Sequence, residues 1–408
     1  MSSRTKYVIV STSTCLTALL LIGNMMGKGS GTQQDDVYKH LTVFTDVVGY
    51  IKTQYVEEPD MKSVTMGALN GMLESIDPFA SYLNADQYKE YLKYKDVQRA
   101  DVGLILSKRP GYIGVVGSVP NSPAAKAGLG SLDMIESIKG IGTRDMPLAY
   151  ANMLLQGESN TTVELSVVRF RHPEPQTVKL TRAALTLPAV DSKMLAGQIG
   201  YINIDALSPA AVKETAAAVQ KLQKAGAQKL VVDARGCAVG SPEDGIALAN
   251  LFLKSGHITY LKGQKVPQQN FDADPSKAIT DLPMAFLTNH GTADAAEIAA
   301  AALQDNKRAQ VVGERTYGDA AVRKALGMDD GGAIILSVAK YYAANGKAIQ
   351  DTGVVPSTQV SEPDVQVDYD ENGEPIPEAQ DAQQAPKKTE DDPVVKKALE
   401  VLGAAKVG

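Results

Sequence analysis

Residues 282–303 read Leu-Pro-Met-Ala-Phe-Leu-Thr-Asn-His-Gly-Thr-Ala-Asp-Ala-Ala-Glu-Ile-Ala-Ala-Ala-Ala-Leu, and little else in the chain is so restrictive. The apolar run at its start has the length of a buried strand, and the alanine-rich end is good helix material. Between them lies a short polar turn with one glycine, Gly291. Strand, tight turn and helix start together aim backbone N–H groups and a helix N-terminus at one place, where a nucleophile or an anion would sit. The residue at that place is Asp294, a poor nucleophile toward a peptide carbonyl.

The same alternation occurs upstream. Residues 200–204 and 229–233 read as strands, and 210–225 and 242–253 read as helices. Alternating strands and helices over 183–362 predict an α/β core with a partly parallel sheet. Ligand sites in such sheets lie beyond the carboxyl ends of strands, which singles out the loops at 235–240 and 289–294. At 408 residues the chain exceeds one domain. Its net charge of −6 becomes −9 once Arg4, Lys6 and Lys28 of the first 28 residues are set aside. With no Trp and that acidic balance, nucleic acid is not an expected partner. The cysteines, Cys15 and Cys237, make no disulfide framework. The four histidines are scattered without metal-ligand spacing, so no metal or cofactor is expected.

Residues 7–26 carry no charge and follow Arg4 and Lys6. Twenty uncharged residues can span the hydrocarbon layer as one helix, with the N-terminus in the cytoplasm. An uncleaved anchor over 1–28 is the first reading, and a removed signal peptide is the second. Thr12-Ser-Thr-Cys15 is only a weak lipoprotein cleavage match, since its leading aliphatic residue is missing. Either way the remainder is exported to the cell envelope. From 36 to 95 the period is helical, with Val37, Leu41, Phe44, Val47, Val48 and Ile51 at three- and four-residue spacings, and a helical cap over 29–96 is expected. Short β-prone runs then fill 97–182, interrupted by helical pieces at 122–128 and 147–155. The Asp-, Glu-, Pro- and Gln-rich composition of 363–408 reads as a solvated tail, with a short helix at 393–402.

The β-rich segment, with Ser122-Pro-Ala-Ala-Lys-Ala-Gly and then Leu132-Asp-Met-Ile, resembles a PDZ domain. The resemblance implies that C-terminal peptides of exported proteins add as a strand, their carboxylate held by N–H groups of Val102, Gly103 and Leu104. The order of parts resembles the carboxy-terminal processing, or tail-specific, proteases. Its markers are Leu73-Glu-Ser-Ile-Asp-Pro-Phe, Val231-Val-Asp-Ala-Arg, Val312-Gly-Glu-Arg-Thr-Tyr-Gly and Ala339-Lys-Tyr-Tyr-Ala-Ala-Asn-Gly. In that family a serine attacks the peptide, a lysine is its base, and a glutamine four residues later orients the lysine. Here those positions hold Asp294, Asp319 and Arg323, and the family's Asn-Pro-Gly-Gly loop has become Cys237-Ala-Val239-Gly240, with Val239 replacing an oxyanion glycine. A serine needs a neutral amine to take its proton, and neither group is present.

The resemblance therefore implies a protease scaffold without its catalyst, serving to bind peptides or to regulate an active relative. The alternative is a working peptidase with unconventional residues. Thr292 with Lys324 is one such pair, and an Asp294–Asp319 acid pair is another. A third possibility is a structural envelope protein whose own tail fills the groove. At the old site the expectation is that Arg323 neutralises Asp319 while Asp294 caps the following helix.

Overall fold

A computed structural model describes residues 31–95, 97, 99–109, 111–144, 146–169, 172–361 and 389–403. The uncharged run 7–26, and the tail between 362 and 388, lie outside the described residues. Contacts divide the chain into Met1–Met66 and Gly67–Gly408.

In the first unit, α1 spans Gly31–Gln54. The next helix, α2 (Met61–Glu74), begins where Asp60 accepts hydrogen bonds from Lys62 N at 3.0 Å and Ser63 Oγ at 2.6 Å. It runs across the boundary between the units. No helix among the described residues is long and apolar enough to cross a membrane.

The second unit opens with a turn at Asp77-Pro78, where Asp77 Oδ1 accepts from Phe79 N at 2.9 Å. Strand β1 (Ser81–Leu83) follows, and α3 (Ala85–Tyr94) is capped reciprocally by Asn84 and Gln87. The expected helical cap therefore contains a strand, and its end belongs to the second unit. The cause is apolar: Phe79, Tyr82 and Leu83 are buried there.

A β-rich region comes next: β2 (Leu104–Arg109), β3 (Tyr112–Ser118), α4 (Pro123–Lys126), β4 (Met134–Ile138), β5 (Ile141–Gly142), α5 (Leu148–Leu155), β6 (Thr162–Arg169) and β7 (His172–Thr181). Its sheet is antiparallel, ordered β2-β3-β4-β6-β7, with β5 paired to β4. The residues facing α5, among them Leu104, Leu106, Ile135 and Val163, form one core with Leu148, Ala151 and Leu155.

The α/β region contains β8 (Asp191–Leu195), β9 (Ile199–Asn203), α6 (Pro209–Lys224), β10 (Lys229–Asp233), α7 (Pro242–Asn250), β11 (His257–Lys262), β12 (Gln269–Asp272), β13 (Met284–Thr288), α8 (Ala295–Asp305), β14 (Gln310–Gly313), β15 (Ala321–Gly327), β16 (Ala333–Ala343), β17 (Thr358–Gln359) and α9 (Pro393–Val401). One sheet is ordered β17-β14-β13-β10-β9-β8 and is parallel except for β8. Its strands are buried on both sides, hence their continuous apolar runs. Ile202, Leu230, Val232, Phe286 and Val311 face α6, α7 and α8. Ile199, Val231, Ala285, Leu287 and Val312 face Val394, Val395, Ala398 and Leu399 of α9. The expected terminal helix thus packs on one face of the sheet, over its central strands β10, β13 and β14. It is tied there by Arg235, which bonds Asp233 at 2.7 Å and Asp392 at 3.0 Å, while Asp392 caps α9.

A second sheet, β1-β16-β11-β12 with β15 on β16, is antiparallel. Sequence reasoning did not anticipate it, because β16 alternates small and large residues without a clean polar face.

Candidate functional site

The loop after β13 is stitched onto the loop after β10. Asn289 Oδ1 accepts from Gly236 N at 2.9 Å and Gly291 N at 3.0 Å, and Ala293 N donates to Cys237 O at 3.0 Å. Thr292, fully buried, donates from Oγ1 to Ala234 O at 2.9 Å. These bonds fold the chain into a sharp turn at whose tip Asp294 has φ 48° and ψ −112°. A non-glycine residue in that region costs about 1–3 kcal/mol, and strand-to-helix elbows that expose nucleophiles are built this way.

Glu297 holds the turn in place. It is fully buried on the first turn of α8 and collects four donors: Asp294 N at 3.0 Å, Gly318 N at 2.7 Å, Asp319 N at 2.7 Å and the Thr316 hydroxyl. One oxygen, Oε2, takes both the Asp294 and the Asp319 N–H, so positions 294 and 319 meet on a single carboxylate. Burial pushes the Glu297 acid up to about 7, against the pull of these donors. The sequence carried a signal for it, since Glu at the third helical position is a capping-box residue.

Asp319 is buried and ion-paired with Arg323, whose guanidinium lies 4.0 Å from the centre of the Phe79 ring. Burial raises the Asp319 acid while Arg323 pulls it down. The expected Asp319–Arg323 pairing is therefore present. The expected cap is only half made: Glu297 bonds the Asp294 backbone, but the Asp294 side chain makes no cap bond and its Oδ1 is buried without a partner. The backward twist of the turn accounts for this, because Glu297 N donates instead to Asp294 O at 3.0 Å. Burial first, then the charges of Asp319 and Glu297, push the Asp294 acid up to about 8, so it carries its proton at neutral pH.

Val239, expected at an oxyanion-loop position, accepts a hydrogen bond from Leu207 N at 2.7 Å through its carbonyl. Gly240 has φ +147°, and a Cβ there would stand 3.0 Å from Ala295 Cβ and 2.7 Å from Leu207 Cβ. Position 240 thus lies directly against the residue after Asp294. Cys237 in the same loop is fully buried and its thiol is pushed up to about 12 by that burial, which makes it inert as a nucleophile. Thr292 spends its hydroxyl on Ala234, and Lys324 is exposed on β15. His290, half exposed, stands 3.7 Å from Glu314.

Two aromatic residues that sequence reasoning missed join the site to the β-rich region. Tyr317 donates its backbone N–H to Thr292 O at 2.9 Å, stacks edge-on against Phe79 with centroids 6.1 Å apart, and bonds the Ser107 hydroxyl of β2 through its own. Beside them a groove of about 470 Å³ runs between β2 and α5, past Phe79, Leu104, Leu106 and Met153, to Asp319 and Arg323. At the start of β2, Val102 is fully buried and Gly103 has φ +82°. A Cβ at Gly103 would stand 2.3 Å from Ser122 Cβ, so only glycine fits. The Gly103 N–H, expected to be free for a peptide carboxylate, donates to Asp101 Oδ1 at 2.8 Å.

Comparison with known proteins gives this geometry a family. Residues 198–360 match the model of peptidase family S41, a span that includes both stitched loops and β15. A carboxy-terminal-processing protease of Bartonella bacilliformis is 31% identical over 335 residues, covering 81% of this chain and 77% of that one. The chain belongs to the carboxy-terminal processing protease family. A family member from Synechocystis sp. is 33% identical over 321 residues, covering 77% of this chain and 75% of its own. Among solved structures, the photosystem II D1 C-terminal processing protease superposes with a TM-score of 0.64 at 27% identity, over 81% of this chain and 89% of that one. Family membership accounts for the mixed α/β sheets.

Proposed function

We propose that this chain is a member of the carboxy-terminal processing family that binds peptides without cutting them. The observation that carries the reading is Asp294. A nucleophile's elbow, with its backbone strain retained, presents a half-buried acid whose Oδ1 has no hydrogen-bond partner. A protonated carboxyl neither attacks a carbonyl nor takes a proton from water. Asp319, where the family has its lysine, is held by Arg323. An aspartic-type mechanism needs two carboxyls sharing one proton, whereas Asp294 Oδ1 has no hydrogen-bond partner and Asp319 bonds Arg323.

The β-rich region is read as a PDZ domain and the groove between β2 and α5 as its peptide site, a strand adding along β2. Asp101 then competes with the incoming carboxylate for the Gly103 N–H. The helices before β1 act as a cap, and residues 7–26 as the segment that carries the rest into the cell envelope. There the chain takes up C-terminal peptides of exported proteins and regulates an active relative that processes them.

The test incubates the full chain in detergent with an unstructured protein substrate and looks for fragments by mass spectrometry. No cleavage is expected, for the wild type or for Asp294→Ala. Cleavage by the wild type that Asp294→Ala abolishes would sink the reading and leave the alternative, a peptidase with unconventional residues.

A further inference from the structure

The groove between β2 and α5 has a third wall. Helix α3 packs against β1 and α5, and its Tyr91 and Tyr94 line the groove. None of the ten residues of α3 is fully buried. Tyr88, Tyr91 and Tyr94 recur every three residues and are all half-buried, with the first two rings stacked at 6.2 Å. Tyrosines so placed offer a ligand rigid apolar area beside a polar tip.

The wall is also cationic. The Arg99 guanidinium lies 4.1 Å from the centre of the Tyr94 ring and Lys93 Nζ lies 4.8 Å from it, while Lys95 lines the groove itself. Residues 93–99 hold these three cations against one acid, Asp96, in a chain whose net charge is −6. Glu90 lies beside Lys93, and Asp101 is engaged by the Gly103 N–H. Arg99 precedes Gly103 by four residues, so the positive stretch leads to the end of the groove where a terminal carboxylate is read.

The edge of β2 decides which side chain of a peptide meets this wall. β2 is an edge strand, and its far end is closed by the bond from Lys108 N to Pro78 O at 2.8 Å. Between Gly103 and that bond an added strand has room for about four residues, at about 3.3 Å each. Side chains alternate along it. The last residue and the third from the end turn to the apolar floor of Leu104, Leu106 and Leu148, and the one before the last turns away from that floor, toward Tyr94 and its cations.

We propose that α3 makes the groove selective for C-terminal tails with an apolar last residue and an acidic side chain, aspartate or glutamate, immediately before it. This selectivity rests on the reading of the groove as a peptide site.

The test titrates the full chain in detergent with acetylated hexapeptides ending Ser-Val-Glu-Val, Ser-Val-Gln-Val and Ser-Val-Lys-Val, each as free acid and as amide, by calorimetry. The Glu peptide is expected to bind about two- to fivefold more tightly than the Gln peptide, the range of an exposed ion pair, with the Lys peptide weakest. Added salt narrows the spread. Arg99→Glu reverses the order, and Lys89→Gln, which removes a charge of α3 outside the groove, leaves it unchanged. Equal binding of the three free acids, each still tighter than its amide, overturns the selectivity and keeps the peptide groove. A preference for Glu that survives Arg99→Glu overturns it too. The same holds if Arg99→Glu removes only the advantage of free acid over amide, which assigns the cations to the terminal carboxylate. Binding of none of the peptides overturns the groove reading and the selectivity with it. Circular dichroism of each variant shows whether the fold is retained.

Discussion

The two ends of the groove between β2 and α5 handle polar groups in opposite ways. At one end, around Asp319 and Arg323, charge is buried and compensated within the chain, and little is left to offer a ligand. At the other, around Gly103, the compensation comes from Asp101, a partly exposed side chain on a short turn that a ligand can displace. The first arrangement is suited to permanence and the second to exchange. A site built for chemistry needs the opposite at position 319: a group whose proton is free to move.

The sharpest way to break this contrast is at Asp294. Its acid is held near 8, against an ordinary value of 3.8. A carboxyl raised on folding contributes its full stability below about pH 4 and loses it as pH climbs through the folded value, at about 1.4 kcal/mol per pH unit. Asp294→Asn should therefore raise the melting temperature, and its advantage over wild type should widen between pH 4 and 8 and then level off. Glu297, pushed up to about 7 by burial, is coupled to Asp294, so the difference between the two proteins reads Asp294 together with the shift its loss induces in Glu297. A constant difference across that range would mean Asp294 is ionised, and that the elbow is not closed to water.

Arg323 comes next in size. Its removal in Arg323→Ala leaves Asp319 buried and unpaired, with an expected cost of about 3 kcal/mol by urea denaturation. Asp319→Asn in the same chain should restore most of it. If the double variant is as unstable as the single, the loss is of Arg323 packing on Phe79 rather than of charge.

Smaller effects are expected at the groove. A peptide with a free C-terminus should bind more tightly than its amide, and Met153→Asp should abolish the difference by destroying the apolar floor. Asp101→Asn should strengthen binding of the free carboxylate by about 1 kcal/mol, some fivefold, as measured by calorimetry. Weaker binding would mean that Asp101 shapes the loop instead of competing in it.

Much of this was legible from residues alone, in places where one local rule decides the outcome. The run at 284–288, the alanine-rich helix from Ala295 and the strand at 229–233 have bounds fixed by burial on both faces. The Asp319–Arg323 pair was legible for the same reason: opposite charges four residues apart beside an apolar site have few alternatives. Asp294 does hold the cap position of α8, but its side chain makes no cap bond, because cap propensity assumes ordinary backbone angles and the elbow does not supply them. Phe79, Tyr317 and Glu297 were not picked out because their roles come from elements distant in sequence. The sheet of β1, β11, β12, β15 and β16 escaped because its strands lack a clean two-residue alternation.

Arg235 and α9 have one more consequence, for the order in which the protein becomes whole. The face of the parallel sheet that presents Ile199, Val231, Leu287 and Val312 is complete once β17 exists, but its cover begins only at Pro393. On a ribosome, the catalytic-type elbow and every strand of that sheet emerge before the helix that shields them. Through that interval an apolar surface stands open, available to chaperones or to neighbouring nascent chains. Arg235, already held by Asp233, is the latch on which Asp392 closes when it arrives.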